Sequence, residues 1–261
     1  VKQKFIPGIY NYCDRWCERC SFTTRCRNYE STSKLSPEPP DINNKAFWDS
    51  ISANFQKAIK LLHKAAKKHG IDPDKAMTKD EEQVYEQRKT FLDTETKKHP
   101  LIKLCKRYEQ TVMPYFKNEI SNELVEKTRE LVSGLHMGIK SEEDVVHTMA
   151  GLGDCEEIIR WYLFFIDAKL QRALHGKLPA RSGTEGEDDE DDGYPKDRDG
   201  SAKVAIIAIE RSMMAWSRLY ELLPVSEDTA LNALSILSQL KQKAIEEFPK
   251  AMEFKRPGFD D

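Results

Sequence analysis

At 261 residues the chain is long enough for one large or two small domains, and 39% hydrophobic and 33% charged residues with a mean hydropathy of −0.66 give it a soluble, globular composition. The net charge of −3 is uneven: residues 184–200 carry nine acidic and two basic groups, −7, which leaves +4 for the remainder. No apolar run approaches the roughly 20 residues needed to span a bilayer, and the overall charge by itself implies neither nucleic acid nor membrane.

No charged segment followed by an apolar one opens the chain in the manner of a signal peptide, so a cytoplasmic location is the default expectation. Twelve glycines, twelve prolines and few β-branched runs predict an all-α fold. The expected architecture is a helical bundle of about six to seven helices behind a small N-terminal tetracysteine module.

Residues 1–28 form an irregular, aromatic and basic leader that holds four of the six cysteines within fourteen positions. Cys13, Cys17, Cys20 and Cys26 follow the spacing C-x3-C-x2-C-x5-C. Four thiolates can close a tetrahedral zinc shell or hold a 4Fe-4S cluster, and clustered cysteines in a reducing compartment more often bind metal than pair as disulfides. Arg15, Arg19, Arg25 and Arg27 would offset the charge of such a centre, and Tyr12, Trp16 and Phe22 would shield it from water. Unligated or disulfide-bonded cysteines are the plainer alternative. The first three cysteines alone read C-x3-C-x2-C, similar to the cluster motif of radical SAM enzymes. That family sets its motif in a β/α barrel, whereas the pattern here is helical throughout.

Residues 29–44 read as a linker, broken by Ser31, Ser33, Pro37, Pro39 and Pro40. The bundle is expected over 45–261. Its first helix, about 45–69, places Phe47, Trp48, Ile51, Phe55, Ile59 and Leu62 mostly three and four apart, an amphipathic face, with Gly70 as the stop. Lys57, Lys60, Lys64, Lys67 and Lys68 give the same helix a basic face that could meet the phosphates of a nucleic acid, though no aromatic residues are interleaved for base stacking. A charged helix is predicted over 73–97, ended by His99-Pro100.

The third pattern runs from Leu101 to Leu135, kinked or split at Pro114, with Gly134 and Gly138 at its end. Ser141 opens a short helix that Gly151 and Gly153 should close, and Asp154 then caps a helix to about 175. Helices over about 201–223 and 227–247 follow an acidic loop at 180–200. The two most apolar helices flank that loop and should pack together.

Ionised groups among those apolar runs must be paired or bind a metal. Asp167 with Arg211 and Glu210 with Arg160 are the expected pairs. A bundle-core carboxylate metalloenzyme would instead use Asp144, His147, Glu157, Asp167 and Glu210. In the acidic loop Asp188, Glu190, Asp192 and Gly193 mimic the start of a calcium loop, which Pro195 and Lys196 then break. Arg129 and His136 could form a helical nuclease dyad. Cys105 reads as a core thiol, and Cys155 lies near a helix start. Phosphate-loop, dinucleotide and hydrolase-elbow motifs are lacking, so no reaction follows from the residues.

Overall fold

A computed structural model describes residues 5–33, 45–68, 70, 72, 75, 78–118, 120–177, 197–223 and 227–260. These form α-helices and a few three-ten turns, with no strand among the described residues. The chain divides into two compact units, Val1–Thr90 with Arg256–Asp261, and Phe91–Lys255.

The first unit begins with three-ten turns at Ile9–Asn11, Cys17–Arg19 and Thr23–Arg25, followed by helix α1 (Arg27–Ser33), which occupies the first part of the predicted linker. Residues 34–44 lie outside the described residues. The Ile6 N–H donates to the Arg25 carbonyl at 3.1 Å and closes the N-terminal segment on itself. Ile9 and Tyr12 are its buried anchors. The chain's end joins them: Phe259 stands edge-on to Phe22 with ring centroids 5.1 Å apart. Gly258 has a φ of +78°, and a Cβ there would come within 2.8 Å of Ile6 Cδ1, so this close turn requires glycine. Arg256 holds it with three guanidinium hydrogen bonds to Asp260, the shortest 2.7 Å.

Helix α2 (Lys45–Lys68) also belongs to this unit, and its bounds match the periodicity. Its environment does not, because the predicted core face is exposed: Trp48 is 51% and Phe55 68% accessible, and Ile51, Ile59, Leu61 and Leu62 are exposed as well. Ala66 is the one buried side chain among those described on this helix.

Helix α3 (Lys79–Lys98) starts later than expected because Thr78 and Glu81 form a capping box, the Thr78 N–H donating to Glu81 Oε2 at 2.7 Å. Its stop at His99 is as predicted. Pro100 then opens helix α4 (Pro100–Asn118) at the first-turn position where its missing N–H costs nothing, and His99 Nδ1 accepts the Leu101 N–H.

In the second unit, α4 is followed by α5 (Ile120–His136), α6 (Glu142–Leu163), α7 (Phe165–His175), α8 (Asp197–Leu222) and α9 (Glu227–Glu247). Pro114 sits inside α4 without ending it. Gly138, at φ +70°, terminates α5 with the Ile139 and Lys140 N–H groups returned to the Gly134 carbonyl.

Two helix boundaries differ from expectation. Gly151 and Gly153 do not end a helix; α6 passes through both, because the Ser141–Asp144 capping box starts it firmly and burial of Leu152, Cys155 and Ile159 carries it on. Each interior glycine costs only about 1 kcal/mol, which packing outweighs. The interruption falls at Phe164, an exposed residue between α6 and α7.

Helix α8 is the centre of the unit, packed against α6, α7 and α9, with α9 packed in turn on α4. Val204, Ala205, Ile206, Ala208, Ile209, Trp216 and Leu219 are all buried along α8, one of the two most apolar helices of the sequence. Trp216 is fully enclosed against Tyr115 and Phe116, and its Nε1–H donates to Tyr108 Oη at 3.0 Å. Lys203 buries its stem here and donates to the Met252 and Phe254 carbonyls, which ties the turn Ala251–Glu253 to α8.

Candidate functional site

The four clustered cysteines come to one small cleft of the first unit, lined also by Ile9, Trp16, Phe22, Tyr29 and Phe259. Cys17 and Cys20 bracket one three-ten turn, and Cys26 ends the next. Each of the four is part-buried and in no disulfide. The Cys13 thiol is directed at the Tyr10 carbonyl at 3.6 Å, and the Cys20 sulfur accepts the Phe22 N–H at 3.4 Å. Burial, and then the neighbouring Cys13, Glu18, Cys20 and Cys26, push the Cys17 thiol up, so it stays protonated at neutral pH.

Among the described residues no group of three or more His, Cys, Asp or Glu side chains is placed to hold a metal ion. The expected tetracysteine metal-binding module is therefore corrected, and with it the zinc or 4Fe-4S cluster assigned to Cys13, Cys17, Cys20 and Cys26. The spacing brings the thiols to a common wall but not to a ligand shell. The arginines meant to balance thiolate charge serve the rings instead: Arg19 lies 4.4 Å over Trp16 and Arg27 5.6 Å over Phe5.

The same finding removes the bundle-core metalloenzyme. Asp144 is spent on the capping box, which lowers its carboxyl through hydrogen bonds from Ser141. His147 and Glu157 are exposed, and Glu210 pairs with Lys241 at 2.9 Å. Neither predicted ion pair forms. Arg160 binds Glu156 at 2.7 Å and lies over Phe116, while Arg211 donates to Tyr162 Oη at 2.6 Å. Asp167 finds Lys106, a residue that sequence spacing could not connect to it across 61 positions.

Arg129 is exposed and paired with Glu126, and His136 is exposed at the end of α5, so that dyad is not assembled. The calcium-like residues Asp188, Glu190, Asp192 and Gly193 lie outside the described residues. Cys105 and Cys155 are buried, and burial pushes both thiols up. No helix among the described residues is long and apolar enough to cross a membrane.

Two features remain that could meet another molecule. One is α2. Trp48, Ile51, Phe55, Ala58, Leu62 and Ala65 alternate by three and four residues, the a and d positions of three heptads. Ile59 and Leu61 widen the seam, and Ser52, Asn54 and Ala66 complete its flanks without charge. The exposed Lys57, Lys60, Lys64 and Lys67 lie on the opposite face, where no aromatic residue accompanies them. The other is a cleft beside α7, lined by Phe164, Asp167, Gln171, Arg172, His175 and Asp197.

No protein-family model matches the chain, and no curated protein or solved structure matches it either.

Proposed function

We propose that the chain is a helical interaction protein whose docking element is α2, and that its occupant is α2 of a second copy. The observation that carries this reading is the continuous exposed apolar seam from Trp48 to Leu62. A 24-residue helix is about 36 Å long at 1.5 Å per residue. The exposed Trp48, Ile51, Phe55, Ile59, Leu61 and Leu62 offer on the order of 600 Å² per chain, so two copies would bury more than the ~1,000 Å² expected of a specific interface. The charge distribution supports a like partner. The lysines sit away from the seam and its flanks are neutral as far as Ala66, so two copies meet without repulsion. That none of the six cysteines is in a disulfide supports placing this assembly in a reducing compartment such as the cytoplasm.

Sedimentation equilibrium of the full chain tests this reading. A dimer is expected that Phe55→Glu converts to monomer with unchanged helix content. A monomer at concentrations of about 100 μM would defeat it, since a seam of this size should associate well below that.

A further inference from the structure

Of the four clustered cysteines, the backbone brings one pair together. The Cys17 carbonyl accepts the Cys20 N–H at 3.2 Å, which closes the three-ten turn Cys17–Arg19. On such a turn residues three apart eclipse one another, with Cα atoms about 6 Å apart. A disulfide spans roughly 4.4–6.8 Å between Cα atoms, so the turn itself sets these two cysteines at bonding range. Both are part-exposed and line the same cleft, where a small reagent reaches them from solvent. The other cysteines are engaged differently. The Cys13 thiol donates to the Tyr10 carbonyl at 3.6 Å, and Cys26 closes a separate turn by its N–H to the Thr23 carbonyl. Cys105 and Cys155 are buried in the second unit.

The turn is braced on both sides. At its start the Trp16 N–H donates to Asp14 Oδ1 at 3.2 Å, and the Arg19 N–H donates to the Trp16 carbonyl at 3.1 Å. At its end the Phe22 N–H donates to Cys20 Sγ at 3.4 Å. That last bond gives the two thiols different parts. An N–H aimed at a sulfur supports the negative charge that an attacking or leaving thiolate carries. Cys17 is instead the thiol that burial and its sulfur neighbours hold protonated.

We propose that Cys17 and Cys20 form a reversible dithiol site, oxidised to an intramolecular disulfide by a small-molecule disulfide of the glutathione class. The Cys20 thiolate attacks one sulfur of the reagent. The reagent's S–S bond breaks, a mixed disulfide forms on Cys20 and the first reagent thiolate leaves. That thiolate takes the Cys17 proton. The Cys17 sulfur then attacks Cys20 Sγ, which forms the Cys17–Cys20 bond and expels the second reagent thiolate. The proton that Cys20 gave up to solvent is returned to it. Two protein thiols thus lose two electrons, and one disulfide is reduced to two thiols. The site does not depend on pairing through α2, so it stands or falls apart from the dimer.

The test equilibrates the full chain in glutathione buffers of graded ratio, followed by alkylation and trypsin digestion. Cleavage after Arg15, Arg19 and Arg25 should release the peptide 16–19 joined to the peptide 20–25, a species that reduction separates. Half-oxidation should occur at a ratio of squared glutathione to glutathione disulfide about tenfold or more above that of the chain unfolded in urea, because the turn holds the pair ready. Cys17→Ser should stall with glutathione on Cys20. Cys20→Ser should take up glutathione at Cys17 about tenfold or more slowly by comparison. A chain with Cys13→Ser and Cys26→Ser should still form the bond. Absence of the joined peptides at every ratio overturns the proposal. So does a bond made through Cys13 or Cys26 instead, or half-oxidation no more favourable than in urea, which would reveal only neighbours in sequence. Equal rates in the two single variants would overturn the order of attack. Should a variant fail to fold, the wild-type comparison with urea decides alone.

Discussion

Helices α2 and α8 are similar in length and both carry long apolar side chains, yet one is exposed almost throughout and the other is buried nearly all round over residues 199–209 and on one side beyond them. The difference lies in how each distributes its apolar residues. On α8 they cover every side over its first half and one side of the rest, interrupted by small residues (Ala202, Ala205, Ala208, Ser212) that let neighbouring helices approach closely. On α2 they form one stripe backed by lysines, a helix that can satisfy a single neighbour. Burial on α8 thus contributes to the stability of the second unit, while the apolar surface of α2 is available for association. Substitutions that act on folding should separate cleanly from those that act on assembly.

The largest effect is expected at the centre of the second unit. Trp216→Ala leaves a cavity between Tyr115 and Phe116 and deprives Tyr108 Oη of its buried donor. A loss of about 3–5 kcal/mol is expected, read from urea unfolding. A loss under about 1.5 kcal/mol would show that α8 is not held in a close-packed core. Next comes the start of α6, where Ser141 Oγ accepts the Asp144 N–H at 3.1 Å. Ser141→Ala removes this cap and should cost about 1 kcal/mol. Amide exchange should rise over residues 142–145 first; an unchanged rate there would mean that packing alone fixes the first turn.

A smaller, pH-dependent effect is expected at His99. Burial lowers its pKa below the usual histidine value, with Lys177 acting in the same direction and Glu247 opposing. The unfolded chain therefore binds the proton more readily than the folded one between that lowered value and about 6.5. Stability rises with pH through this window and is lost as pH falls through it. His99→Gln, which can still accept the Leu101 N–H, should flatten the dependence of the urea midpoint between pH 5 and about 6.5. An identical slope in the variant would assign it to other groups.

Much of the helical layout was legible in the sequence because it rests on apolar period and on punctuation by glycine and proline. The bounds of α2 and α9, the stop at His99-Pro100 and the burial of α8 follow from those signals alone. Gly151 and Gly153 misled because a helix interior tolerates glycine when its neighbours pack well, and packing is not a local property. The α2 face misled for a related reason: periodicity reports that a face is apolar, not that the same chain covers it. The cysteine spacing is sound as proximity, since all four thiols line one cleft, but proximity in sequence does not set the angles of a ligand shell. Lys106 and Phe259 carried no local signal, because each acquires its role from a residue far away in the chain.

The smallest expected effect sharpens the contrast most. Phe55 is as large as the side chains that hold the second unit together, yet it is 68% exposed. Phe55→Ala should therefore change the stability of the dilute chain by less than about 0.5 kcal/mol, the range of ordinary surface substitutions. Concentration separates folding from assembly. If α2 joins two copies, the wild-type unfolding midpoint rises with protein concentration by mass action, because association favours the folded chain. The Phe55→Ala midpoint should rise less over the same range, and the two chains should converge on dilution. A midpoint that falls equally at every concentration would place Phe55 in an intramolecular core, and α2 would then belong with α8 rather than opposite it.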